Sequence, residues 1–195
     1  MKTVAAIIEM FGGLDALARK YIRIENGGYM PIVIEHLGEG PSGYPVVSVA
    51  HTYIQEGDVM YDPEMTFEVN WEYRDESDGW GPITYRQDNL GMHQTAKWRD
   101  ANTGQVMIAT RLVRNLKSFA RTWDKNLREQ GFLIAARAVC NQEFVERAQL
   151  ASDAAPRPEA PALKATPRTA AHTHLAQPSA RASTPSVADF EWVDG

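Results

Sequence analysis

Glu64-Met65-Thr66-Phe67-Glu68-Val69-Asn70-Trp71-Glu72-Tyr73 alternates apolar and polar residues without a break. Successive side chains of a strand point to opposite faces. The run therefore predicts Met65, Phe67, Val69, Trp71 and Tyr73 on one side and Glu64, Thr66, Glu68, Asn70 and Glu72 on the other. One apolar face and one hydrated face are the mark of an antiparallel sheet, because strands of a parallel sheet are covered on both sides and read as continuous apolar runs. Trp71 is expected in the core, and the three glutamates are expected in water.

Working outward, Tyr21–Glu25 and Tyr29–Glu35 read as strands around Asn26-Gly27-Gly28, a hairpin turn by composition. Val46–Ile54 is a further strand, and Ile83–Arg86, Met92–Trp98 and Val106–Ile108 are shorter ones. Val4, Ile7, Ile8, Phe11 and Leu14 recur at helical spacing behind Thr3, a predicted N-cap, with Gly12-Gly13 interrupting a helix that restarts as far as Lys20. Thr110–Gln130 is strongly amphipathic. Arg111, Arg114, Lys117, Arg121, Lys125 and Arg128 share an arc of roughly 120°, and Leu112, Val113, Leu116, Phe119, Ala120, Trp123 and Leu127 fill the opposite one. Gly131 is the expected stop. A last helix over Ile134–Leu150 is expected to bury Ile134, Ala138, Phe144, Val145 and Cys140.

These elements predict an α+β fold: an antiparallel β-sheet packed by an N-terminal helix and two C-terminal helices, with a disordered C-terminal tail. The 195 residues suit one globular domain over residues 1–150. Residues 151–188, mostly Ala, Pro, Ser and Thr, bury too little surface to offset their ordering entropy and read as a disordered linker. Residues 189–195, Asp-Phe-Glu-Trp-Val-Asp-Gly, form an acidic-aromatic segment with Phe190, Trp192 and Val193 as its candidate anchors. That segment is expected either to fold back on the Arg111–Arg128 stripe or to recruit a second protein. No apolar run approaches the ~18 residues of a membrane span, and no signal peptide is read at Val4–Met10. A single cysteine, Cys140, excludes an intramolecular disulfide, so a reducing, cytoplasmic setting is expected.

The net charge of −5 is unevenly spread: residues 56–92 hold two basic against ten acidic residues, and residues 93–150 hold ten against five. Such asymmetry marks an interaction surface or two faces that neutralise each other.

Asn26-Gly27-Gly28-Tyr29-Met30-Pro31, Ala50-His51-Thr52-Tyr53, the block from Gly57 to Glu68 (GDVMYDPEMTFE) and Tyr85-Arg86-Gln87-Asp88-Asn89-Leu90-Gly91 together carry a resemblance. They resemble an uncharacterised domain family encoded by conjugative plasmids, integrative elements and phages. Its members have a similar G-D-x-M-x-D-P-E-M-x-F-E block after an A-H-Y-like strand and before a Q-D-x-x-G block. Here the aromatic after His51 is displaced to Tyr53. The similarity covers about residues 17–100. It implies a mobile-DNA, cytoplasmic context and no reaction.

Three candidate sites follow. Carboxylates on every second strand residue stand roughly 6.6–6.8 Å apart, near a phosphate spacing. Glu64, Glu68 and Glu72 could therefore form an electrostatic docking face that imitates nucleic acid, or merely solvate a strand. The same block beside His51 offers His51, Asp62, Glu64 and Glu68 as ligands of a divalent metal, although no paired-histidine or calcium-loop spacing is present. The six cations of the basic helix could track phosphates, with Trp98 or Trp80 stacking on bases, or could form a solvated face or one that neutralises the acidic sheet. Ser42 and Ser48 lack a nucleophile motif, and Gly38-Glu39-Gly40-Pro41 lacks the Lys-Ser/Thr of a phosphate loop.

The expected function is that of a non-enzymatic accessory protein of a mobile genetic element. It would need no cofactor and would bind a protein or nucleoprotein complex of the host, such as a defence complex, with no membrane partner. The alternatives are a metal-dependent enzyme acting on nucleic acid and direct DNA or RNA binding by the basic helix.

Overall fold

The computed structural model describes residues 1–154, and the expectations for 155–188 and 189–195, with Phe190 and Trp192, lie outside the described residues. The chain is α+β. Its elements are α1 (Lys2–Met10), α2 (Gly13–Leu17), β1 (Ile22–Asn26), β2 (Tyr29–Glu39), β3 (Pro45–Gln55), β4 (Asp58–Val69), β5 (Trp80–Gln87), β6 (Met92–Thr95), β7 (Lys97–Arg99), β8 (Val106–Ile108), α3 (Thr110–Glu129) and α4 (Phe132–Ala154). Strands β1 to β6 form one antiparallel meander in chain order, and β7 pairs with β8 in a separate ribbon. No described helix is long and apolar enough to cross a membrane.

The meander follows from short turns. Gln55 pairs with Asp58 across Glu56-Gly57, and both turn residues have positive φ, 53° and 95°. A two-residue loop of that hand matches the twist of its flanking strands. The stretch from Asp58 to Pro63 is consequently strand, the first half of β4. Pro63 is accommodated because the ladder shifts there: Ala50 faces Glu64 but Thr52 faces Tyr61, so Asp62 and Pro63 oppose the single residue His51. A bulge is where a strand tolerates a residue without an N–H.

One face of the sheet carries Ile22, Ile24, Ile32, Ile34, Val47, Val49, Met65, Phe67 and Val69, all buried in one core with α1, α3 and α4. Helix α1 packs against both α3 and α4, while α3 lies along β5 and α4 along β1. The phase read from Met65, Phe67 and Val69 is therefore correct, but the strand ends sooner than its pattern. After Val69 the chain turns into a short 3-10 helix at Trp71–Tyr73. Trp71 is only partly buried, and Tyr73 is exposed. The indole that this segment sends into the core is Trp80, T-stacked on Phe67 at 5.5 Å and donating its Nε1–H to the Arg74 carbonyl at 2.9 Å. The return is tight enough that a Cβ on Gly79 would collide with the Tyr73 backbone.

Two helix expectations change. Thr3 is not the N-cap of α1 but lies within it. The last helix is rotated from its expected phase: Phe132 and Ala136 are buried, Leu133, Ala135, Val139 and Cys140 partly so, whereas Ile134, Ala138 and Val145 are exposed. Apolar residues stand on several sides of this segment, so the pattern alone does not select a buried face.

Candidate functional site

The acidic strand does not present an even row of carboxylates. Glu64 is half-buried and accepts a hydrogen bond from the Ser48 hydroxyl at 2.7 Å. Glu68 is only 4% exposed. It forms an ion pair with Lys97 of β7 and accepts the backbone N–H of Ser42. The β7–β8 ribbon and the 40–44 loop fold over that end of the sheet, with Arg99 donating to the Pro41 carbonyl. Gly40 approaches Glu68 so closely that any Cβ there would overlap its side chain. Glu72 has left the strand and stands exposed on the 3-10 turn. The predicted docking face of Glu64, Glu68 and Glu72 thus dissolves into one internal ion pair, one satisfied acceptor and one surface charge.

The four expected metal ligands do not converge. His51 follows Val47 and Val49 on the helix-facing side of β3, with its ring 5.6 Å from both Trp123 and Phe132. Glu64 and Glu68 lie on the other side of the sheet, opposite Ala50 and Val46. Among the described residues, no group of three or more His, Cys, Asp or Glu is placed to hold a metal ion. Asp62 accepts amide N–H bonds from Gln87 and Asn89, one on each carboxylate oxygen, both at 2.7 Å. Asp88 accepts the Tyr61 N–H at 2.8 Å and the Arg86 guanidinium at 2.6 Å. The Arg86 hydrogen bond is the leading reason its carboxyl titrates below the usual range. Arg86 in turn lies over the Tyr61 ring at 4.6 Å. The DP and QDN blocks are therefore one hydrogen-bonded clamp between β4 and the turn after β5.

His51 itself is buried, 8% exposed. Its Nδ1 lies 3.0 Å from the Met30 carbonyl, which can only accept, so Nδ1 carries the hydrogen and Nε2 has no hydrogen-bond partner among the described residues. Burial lowers its pKa, outweighing the backbone carbonyls and Asp62, which act in the opposite sense.

The basic helix meets its expected phase most closely. Leu116, Ala120, Trp123 and Leu127 are buried, and Arg111, Arg114, Arg121, Lys125 and Arg128 are exposed. Phe119 departs from the apolar set: it is 38% exposed and T-stacks on Tyr85 at 5.4 Å. Lys117 pairs with Asp78 at 2.8 Å, which holds that carboxyl below its ordinary pKa, and Lys125 pairs with Glu129 at 3.5 Å. Among the described residues, Arg111, Arg114, Arg121 and Arg128 have no acidic partner. Among the described residues, the acidic segment thus neutralises this helix only through Asp78. Trp80, suggested as a base-stacking residue, is 3% exposed and cannot offer its face; Trp98, 39% exposed on β7, can.

A cleft of about 200 Å3 opens beside this ridge. Phe67, Trp80 and Ala120 form its floor, Met1 lines it, and Arg114, Lys117, Arg121 and Asp78 stand around its mouth. Sequence reasoning missed it because Phe67, Trp80 and Ala120 come from three elements that only the tertiary fold assembles.

An antiparallel meander, clamped at Asp62 and flanked by a helix with a cationic ridge, defines a small α+β domain. Residues 2–133 match the family model described as Domain of unknown function (DUF6908), and the chain belongs to that family. The match runs from α1 through α3, so the basic helix lies inside the family domain and the similarity is wider than residues 17–100. No curated protein and no solved structure has detectable similarity to the chain.

Proposed function

We propose that this domain is a non-catalytic docking module that serves a mobile genetic element by binding a protein or nucleoprotein complex of the host, such as a defence complex. The observation that carries the reading is the cationic ridge of α3, whose four arginines lack acidic partners among the described residues. Guanidinium groups left free on a rigid helix supply steering and forked hydrogen bonds to carboxylates or phosphates. The helix is well suited to carry them, because a row of buried side chains and the buried Asp124 fix which face looks outward.

The test is affinity capture from host lysate with the full chain and with a variant in which Arg111, Arg114, Arg121 and Arg128 are changed to Glu. The expected result is loss of the captured partner at an unchanged thermal midpoint. Capture that survives the charge reversal removes the reading.

A further inference from the structure

Resting on that reading, we infer that the ridge binds an acidic segment of a protein, with one apolar side chain of that segment inserted in the cleft between α3 and the Phe67–Trp80 pair. The cleft joins two properties that nucleic acid and a plain polyanion do not exploit together. Its floor of Phe67, Trp80 and Ala120 is apolar, and its volume of about 200 Å3 admits one side chain. Its mouth carries Arg114 and Arg121, which stand about 10 Å apart along the helix at 1.5 Å per residue. Acids placed on both sides of a central anchor can therefore reach one arginine each while the anchor enters between them.

The surroundings disfavour a nucleic-acid backbone. Asp78, with its side chain 85% exposed, stands at the cleft mouth, and Asp75 and Glu76 are exposed just before it. Duplex DNA carries about one charge per 1.7 Å of axis and would have to bring that density against these carboxylates. A peptide can leave a neutral residue at that point, so Asp78 acts as a repulsive element that sorts partners. No aromatic face in the cleft is open for base stacking, since Trp80 is buried with its Nε1–H committed to Arg74.

Fluorescence anisotropy on the full chain tests this with three probes: a labelled peptide of Asp and Glu residues with one central Leu, the same peptide with Ala at that place, and a labelled 20-base-pair duplex. The leucine peptide is expected to bind, to lose about tenfold or more with alanine, as removal of a buried apolar side chain implies, and to bind better than the duplex. Asp78→Asn is expected to raise peptide affinity by freeing Lys117, and Arg114→Glu with Arg121→Glu to abolish it at an unchanged thermal midpoint. Equal binding of the two peptides, tighter binding of the duplex, or no binding of the leucine peptide overturns the inference. In each of those cases the proposed docking function still stands if lysate capture depends on the arginines, and it falls separately if capture does not.

Discussion

Asp124 is the residue whose removal tests the architecture most sharply. It projects from the buried side of α3, is 7% exposed, and reaches the N-terminus of α1 more than one hundred residues away in sequence. Its Oδ1 accepts the backbone N–H of Thr3 at 2.9 Å and that of Val4 at 3.4 Å, and its own carbonyl accepts the Thr3 hydroxyl at 3.1 Å. The first N–H groups of a helix have no partner within it, and a carboxylate there also meets the positive end of the helix dipole. Loss of a cap costs about 0.5–2 kcal/mol, and a buried donor left unpaired about 1–3 kcal/mol. These describe overlapping parts of one interaction and are not summed; about 3 kcal/mol is expected for Asp124→Ala. For a domain of this size that corresponds to a fall of roughly 6–12 °C in Tm. Asp124→Asn retains an oxygen for the Thr3 N–H and loses the charge, so roughly half the cost is expected. Urea unfolding followed by circular dichroism measures both, with an unchanged m-value as the sign that only stability moved. A loss below about 0.5 kcal/mol for Asp124→Ala, the range of ordinary surface changes, refutes the cap. So does an asparagine variant as damaged as the alanine one.

Three further outcomes follow from the same geometry. Lys97→Met leaves the Glu68 carboxylate buried without its cation and should cost about 3–5 kcal/mol, while adding Glu68→Gln should restore much of it; a double-mutant cycle in chemical denaturation reads the coupling. His51 has a folded pKa below its unfolded value of about 6.5, so the unfolded chain binds the extra proton first; stability should be full above about pH 6.5 and decline as pH falls toward the folded pKa, and His51→Phe should flatten that part of a pH-stability profile. Trp80→Ala should cost about 3–5 kcal/mol as a buried aromatic truncation, and Trp71→Ala distinctly less, because Trp71 is only partly covered; equal losses in parallel melts contradict the burial assigned to the two indoles.

What was legible from the chain itself was whatever depends on local periodicity. The antiparallel sheet, the inward phase of Met65, Phe67 and Val69, and the outward phase of the α3 cations follow from repeats of two and 3.6 residues, which backbone geometry imposes wherever the segment lies. The pattern of α4 misled for the converse reason: with apolar residues on several sides, the neighbours α1 and β1 chose its buried face. Tertiary structure alone decided the fate of the charges. Glu68 and Glu72 are equivalent in the alternating run, yet one is sealed under the Lys97 ribbon and the other ends in water beyond the strand. Asp124 lies on a helix of evenly spaced cations and is spent as a cap on α1. Asp62 reads as a metal ligand beside His51 and serves instead as the acceptor for Gln87 and Asn89. A carboxylate's role is set by which donors surround it, and donors from distant segments gather only when the chain folds. Hydrophobic phase is a property of a segment, whereas electrostatic pairing is a property of the assembled molecule.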